Sequence, residues 1–280
     1  MLRRFLWMAA AATLVMVHQT PVAIAEEEAE APESAVSSPP MEMDDPGTPG
    51  RQGIEVNFVG TLVHVGPGRS AETLLDANYG IGDRIQLKYE RPYVSEGEVG
   101  SHAQRGMGPT ELGVKWRFVD SHGWAAAVYP QYQFDDGFVL KDADGAPEET
   151  EGRSVYLPVL LSKSVHERYT IGLNLGFRRN LDHRGDDANF AVGAGRAVGE
   201  TQRVLAEVYS ERDRDLNNRQ TDVRVGYVLA LFPKRFEKSH FEFPAYASVG
   251  HSVGRIEAGE RATTVTLGVS VIRKPEGEGE

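Results

Sequence analysis

The sequence predicts an all-β protein, an antiparallel up-and-down transmembrane β-barrel of about 12 strands. Three observations carry that prediction. From Ile54 onward apolar and polar residues alternate with a period of two, and the helical period is absent. Each alternating segment is close to the ~9–11 residues that cross a bilayer when tilted. The connections alternate between short and long, as in outer-membrane barrels with tight turns on one side and long loops on the other.

Composition frames this without revealing it. The chain has 280 residues, 40% of them hydrophobic, with a formal charge of −11 and mean hydropathy −0.38. The hydrophobic share suffices for a packed fold and excludes wholesale disorder. The acidic balance, 30 Lys and Arg against 41 Asp and Glu, excludes nucleic acid as a partner. With no cysteine, disulfides, Cys-ligated metals and thiol catalysis are excluded too.

Residues 1–25 have the parts of a cleaved export signal. Arg3 and Arg4 form a basic start, Phe5 to Val17 is an apolar run too short to span, and Ala23-Ile24-Ala25 is a small-residue cleavage site. Residues 26–53 hold eight carboxylates against a single Arg51, with prolines at 32, 39, 40, 46 and 49. Such a stretch reads as a disordered acidic tether. Residues 54–272 form the barrel, and 273–280 a polar C-terminal tail.

Within the barrel the clearest strands are 84–90, 110–118, 169–178, 221–231 and 263–272. In the first, Ile85, Leu87 and Tyr89 oppose Arg84, Gln86, Lys88 and Glu90; in the second, Leu112, Val114, Trp116 and Phe118 oppose Glu111, Gly113, Lys115 and Arg117. Weaker segments at 54–65, 70–79, 124–134, 154–163, 189–198, 203–211 and 243–252 complete the set. Short connections follow at 80–83, 119–123, 164–167 and 199–202, and long polar ones at 94–109, 135–153, 179–188 and 212–220. Two connections break the rule: 66–69 is short and 232–242 is long.

Period two alone does not say which face is inside. Lys or Arg at mid-depth in hydrocarbon costs ~2–4 kcal/mol, so the charged faces belong inside and the apolar faces against lipid. The predicted inward set is Arg84, Lys88, Glu90, Glu111, Lys115, Arg117, Arg178, Glu207, Glu211 and Arg224. Aromatics near strand ends (Tyr79, Tyr93, Phe118, Trp124, Phe134, Tyr169, Phe177, Phe232) fit interface girdles, and fit ordinary core packing as well.

The stretches Ala77-Asn78-Tyr79-Gly80-Ile81, Asp83-Arg84-Ile85-Gln86-Leu87 and Thr110 to Phe118 resemble a family of outer-membrane transporters named for the MetA pathway of phenol degradation. Tyr156-Leu157-Pro158-Val159 with Ser162-Lys163-Ser164 is similar to that family's central strand. The resemblance covers about 54 to 272 and is most specific between 70 and 180. Family members usually carry Gly-Asp before the Thr-Glu; here Gly108-Pro109 stands there, so a role for that aspartate does not transfer. The resemblance implies an outer-membrane barrel that passes or binds small molecules and supplies no catalytic residues. Barrels of this kind often end on an aromatic used by the insertion machinery; this chain instead runs past Ile272 into Arg273-Lys274-Pro275.

No enzymatic, cofactor or metal pattern is complete. Ser101-His102, Ser121-His122, Ser239-His240 and His251-Ser252 are adjacent pairs without the third orienting group of a triad. Gly193-Ala194-Gly195-Arg196 lies along a strand and opens no helix, so it fails as a nucleotide loop. Asp142, Asp144, Asp182, Asp186 and Asp187 complete no EF-hand.

The sequence therefore reads as a barrel of the bacterial outer membrane, exported by a cleaved signal, with lipid, a small solute and the insertion machinery as partners. Its expected role is a passive channel or binding barrel for small solutes, hydrophobic or aromatic ones included. Two alternatives stay open: a structural or interaction barrel whose charged residues block the lumen, and a soluble periplasmic ligand-binding barrel.

Overall fold

The computed structural model describes residues 40–98, 103–139, 152–166, 168–182, 185–213, 219–232, 240–253 and 261–274. Among them the strands form one antiparallel sheet closed on itself. They are β1 (Ile54–Val65), β2 (Gly68–Ile81), β3 (Ile85–Glu98), β4 (Gln104–Met107), β5 (Glu111–Ser121), β6 (Trp124–Val128), β7 (Gln131–Gln133) and β8 (Ser154–Val165). The second half comprises β9 (Tyr169–Asn180), β10 (Asp187–Ala197), β11 (Gln202–Asp213), β12 (Arg219–Ala230), β13 (Phe241–Glu242), β14 (Pro244–Ser252) and β15 (Ala262–Arg273).

The fifteen segments make a 12-strand barrel because three staves are interrupted. β4 and β5 both pair with β3 and are separated by Gly108-Pro109-Thr110. β6 and β7 both pair with β5 and β8, separated by Tyr129-Pro130; a proline cannot donate to the ladder there. β13 and β14 both pair with β15. The barrel closes where β1 meets β15, from Ile54 opposite Arg273 to Val65 opposite Ala262. Both ends of the wall thus lie at one rim, as an even number of up-and-down staves requires.

That rim carries the tight turns: 82–84 between β2 and β3, 122–123 between β5 and β6, 166–168 between β8 and β9, and 198–201 between β10 and β11. At the opposite rim lie the strand ends Glu98, Gln133, Asn180, Asp213 and Ser252, which lead into the longer connections. Of the two exceptions, the short one is a tight turn at 66–67, because β2 already begins at Gly68. One expected loop differs, because 94–109 is largely strand: β3 continues to Glu98 and pairs with β4, Tyr93 opposite Met107.

The packing is that of a soluble protein turned inside out. Phe58, Leu87, Trp116, Ile171, Leu175, Val225 and Leu267 are exposed on the outer face, Trp116 to 53%. Asn57, Asp76, Asn78, Gln86, Lys115, Glu207, Arg224, Thr266 and Ser270 are buried on the inner face. Phe118 and Val119 are consecutive yet both exposed, because the β5–β6 register slips between Arg117 and Val119 and the bulge turns both side chains outward. Exposed aromatics gather near both rims: Tyr79, Phe118, Trp124 and Phe232 by the turns, Tyr93, Phe134 and Phe177 by the loops.

One expectation from the sequence fails. Residues 26–53 were expected to be a disordered acidic tether, yet Met41 is 3% and Met43 1% exposed. Its described part, 40–53, is held by the barrel itself, which supplies the apolar surface that the stretch lacks. The leader and residues 26–39 lie outside the described residues, as does the tail beyond Lys274.

Candidate functional site

The lumen is built by the inward parity of the strands, and two polar clusters occupy it. The first lies on β2, β3, β5 and the neighbouring staves. Register puts Glu90 opposite Glu111 and Lys88 opposite Gly113, so Lys88 reaches both carboxylates. It pairs with Glu90, and its Nζ is 3.6 Å from Glu111 Oε1. Arg178, from β9, approaches the other Glu111 oxygen at 3.9 Å and donates to Ser154 Oγ at 3.0 Å. Its guanidinium lies 4.9 Å from the centre of the Tyr156 ring.

Beneath this network Tyr129 is almost fully buried, with Lys115 Nζ 4.7 Å and Lys88 Nζ 5.6 Å from its ring centre. Asp76 accepts from Asn57 Nδ2 at 2.8 Å and from Asn78 Nδ2 at 3.1 Å, and Asn78 in turn accepts from Gln86 at 2.6 Å. Each charge therefore has a partner of opposite sign or a hydrogen-bonding amide, as burial demands.

The second cluster is on the far wall, β9 to β14, and its partner is the chain's own segment 40–47. Glu207 accepts from two successive backbone amides, Glu42 N at 3.2 Å and Met43 N at 2.8 Å. Arg224 Nη2 lies 2.5 Å from Glu42 Oε1. Ser248 Oγ donates to the Pro40 carbonyl at 2.8 Å. From the first wall, Lys115 Nζ donates to the Asp45 carbonyl at 2.9 Å. β5 and β12 stand six staves apart in a barrel of twelve, so the segment crosses the lumen.

Met41 and Met43 pack with Ala191 and Leu205, bordered by Tyr209 and Val228. They fit because two inward wall positions lack side chains. A Cβ at Gly172 would lie 2.5 Å from Met43 Cε, and one at Gly226 2.9 Å from Met41 Sδ. Behind the segment, residues 48–53 fix it to the turn rim: Thr48 Oγ1 donates to Asp83 O at 2.9 Å, and Gln52 N to Gly80 O at 3.0 Å.

Of the ten residues predicted to line the lumen, Lys88, Glu90, Glu111 and Arg178 meet in the first cluster, Glu207 and Arg224 in the second, and Lys115 touches both. Arg117 sits at the turn mouth, 3.1 Å from Asp120 and donating to Asp83 O at 2.7 Å. Glu211 accepts from Tyr209 OH at 2.8 Å. Arg84 does not line the wall: it is exposed in the 82–84 turn, because β3 begins only at Ile85. Sequence reasoning missed Asn57, Asp76, Asn78, Tyr129, Tyr156 and the 40–47 segment. Asp76 and Asn78 could have been found from their two-residue spacing within the 70–79 strand.

The candidate hydrolytic pairs are dispersed. Ser121 and His122 contact each other at 2.6 Å in an exposed turn; His251 meets Thr263 at 3.0 Å, while Ser252 donates to Asp222 at 2.6 Å. Ser101, His102 and Ser239 lie outside the described residues, as do Asp142 and Asp144. Asp182 is bound by Arg153 at 2.6 Å. Among the described residues no group of three or more His, Asp and Glu side chains could hold a metal ion.

No protein-family model matches the chain, and no curated protein sequence does either. Solved structures do. An outer-membrane channel from Pseudomonas putida F1 superposes with a TM-score of 0.61 at 14% identity, over 83% of this chain and 99% of that one. The NanC porin does so at 0.55 and 10% identity, over 79% and 100%. The translocator domain of the autotransporter NalP from Neisseria meningitidis gives 0.52 and 10%, over 79% and 88%. At these identities the likeness is one of fold, and the fold is that of porin-like outer-membrane β-barrels.

Proposed function

We propose that this protein is an outer-membrane channel for small hydrophilic solutes. The observation that carries the reading is the sorting of side chains between the two faces. Leu87, Trp116 and Leu175 stand exposed outside, while Lys88, Glu111, Lys115, Glu207 and Arg224 turn inward. A soluble ligand-binding barrel would bury the first set and hydrate the second, so the sorting favours lipid outside. The two aromatic rims fit the membrane interfaces, and the likeness in fold to an outer-membrane channel supports the same placement.

A wall carrying both signs of charge suits solutes with polar or charged groups and disfavours aromatic hydrocarbons, so the phenolic association of the resembling family does not carry over. Among the described residues the candidate Ser–His pairs are dispersed and do not compete with the channel reading. We further propose export by the 1–25 leader and insertion directed by β15, which ends without a terminal aromatic. The blocked-barrel reading is favoured by one observation, the crossing of the lumen by residues 40–47.

Two measurements test the proposal. Membrane fractionation should leave the protein in the pellet after carbonate and release it only with detergent; release by salt alone would refute the membrane placement. The barrel freed of residues 26–47 should pass small sugars and amino acids when reconstituted in liposomes. Absence of flux from that variant would refute the channel.

A further inference from the structure

The two crossing points of the 40–47 segment differ from ordinary plug contacts in being recognition of backbone. Glu207 takes two adjacent amide protons, Ser248 and Lys115 each donate to a main-chain carbonyl, and Gly172 and Gly226 open slots for Met43 and Met41. Glu207 and Arg224 stand directly opposite each other in the register of β11 and β12. Yet the short contacts of both go to the segment rather than across the strands. Arg224 is 5% and Glu207 2% exposed, so each is a buried ionisable group partnered by residues 164 to 182 positions away in sequence. A wall meant only to be a wall would pair them with each other.

We infer that the inner wall of β9 to β14 is a peptide-binding site whose ligand is the chain's own Pro40-Met41-Glu42-Met43, and that the resting barrel is closed by this self-occupancy. The ligand class is a short acidic peptide, bent through Met41 to Met43, with apolar side chains at alternate positions. That alternation matches the site: Met41 and Met43 go to the glycine slots while Glu42 goes to Arg224. Residues 48–53 anchor the segment to the rim, so the local concentration of ligand is about millimolar, and weak intrinsic affinity suffices to keep the site filled. Opening then means leaving the site without leaving the barrel. The gating part of this inference rests on the channel reading above; the binding part stands on its own.

The test uses two variants of the full barrel and a synthetic peptide spanning residues 39–47. The first variant lacks 26–47 behind the intact leader. The second is full-length Glu42→Lys, which leaves the wall unchanged and places a cation against Arg224. Heat-modifiable migration shows that each has folded. Labelled peptide should bind the shortened barrel and not the full-length protein. Glu207→Gln in the shortened barrel should weaken that binding about 10- to 100-fold, the loss of hydrogen bonds to a buried charge. Liposome flux through both variants should exceed that of the unaltered protein at least about tenfold, as expected if more than about 1.4 kcal/mol holds the segment in place. Peptide binding with no flux from any barrel supports the site and refutes the channel. Equal peptide binding to shortened and full-length barrels, or none to the folded shortened barrel, overturns the site. Equal flux from all three refutes the gate.

Discussion

Leu175 offers the sharpest test of which face meets hydrocarbon. It lies at the middle of β9, six residues from the turn-side start, or about 15 Å along the barrel axis at ~3.3 Å per residue and a tilt near ~40°. It is 49% exposed, and its register neighbours Val159 and Phe190 are exposed as well, so nothing in the protein would shelter a cation there. An arginine at mid-depth costs ~2–4 kcal/mol, a shift of about 30- to 1000-fold in the folding equilibrium. Val165 is outward too, but at the turn rim, where the same substitution should cost only ~0–1 kcal/mol. Reversible urea unfolding from thin phosphatidylcholine vesicles measures both. The expected result is a Leu175→Arg penalty at least ~2 kcal/mol larger than that of Val165→Arg. Equal penalties, or one below ~0.5 kcal/mol at Leu175, would mean that the outer face is not a lipid belt.

Three further outcomes follow from the lumen and its rim. Lys88→Met leaves Glu90, Glu111 and Asp76 facing one another in the lumen and should destabilise the barrel by up to ~3–5 kcal/mol; adding Glu90→Gln and Glu111→Gln should restore most of it in the same unfolding assay. Asp136, beyond β7, is pushed up by burial, but bonds from Thr110 N and Oγ1, both 2.7 Å, and from Arg91 outweigh this and hold its carboxyl below the ordinary carboxylate value of 3.8. Its contribution is therefore complete above that value and lost as pH falls through the lowered one, so wild type and Asp136→Asn should differ in Tm at neutral pH and converge in stronger acid. Gly172→Leu fills the Met43 slot and should raise liposome flux as Glu42→Lys does, with the wall's unfolding midpoint little changed.

How much of this was legible depended on what enforced the pattern. The central strands could be read because hydrocarbon on one side and a polar lumen on the other impose alternation: Leu112, Val114 and Trp116 against Glu111, Gly113 and Lys115. Beyond the belt the same backbone ladder continues through water, which imposes nothing. Residues 94–98 and 104–107, Val-Ser-Glu-Gly-Glu and Gln-Arg-Gly-Met, are mostly polar and read as loop although they pair. Tyr129-Pro130 falls inside a segment read as one strand, 124–134, and Gly108-Pro109 inside one read as loop; both are interruptions within single staves, since the neighbouring strands carry the chain past them.

The 40–47 segment was illegible for a different reason. Its own composition cannot bury anything: two methionines among carboxylates and prolines give no core. Stable placement arises from surface contributed by residues 70 to 208 positions away, which no local window can contain. The trace it does leave is on the wall. Gly172 and Gly226 fall at inward positions of strands that are otherwise strongly alternating. A missing side chain facing inward, close to a buried charge pair of opposite sign, marks room kept for something. Here the chain supplies the occupant from its own N-terminal side, and what enters the lumen instead depends on how readily Glu42 and the two methionines let go.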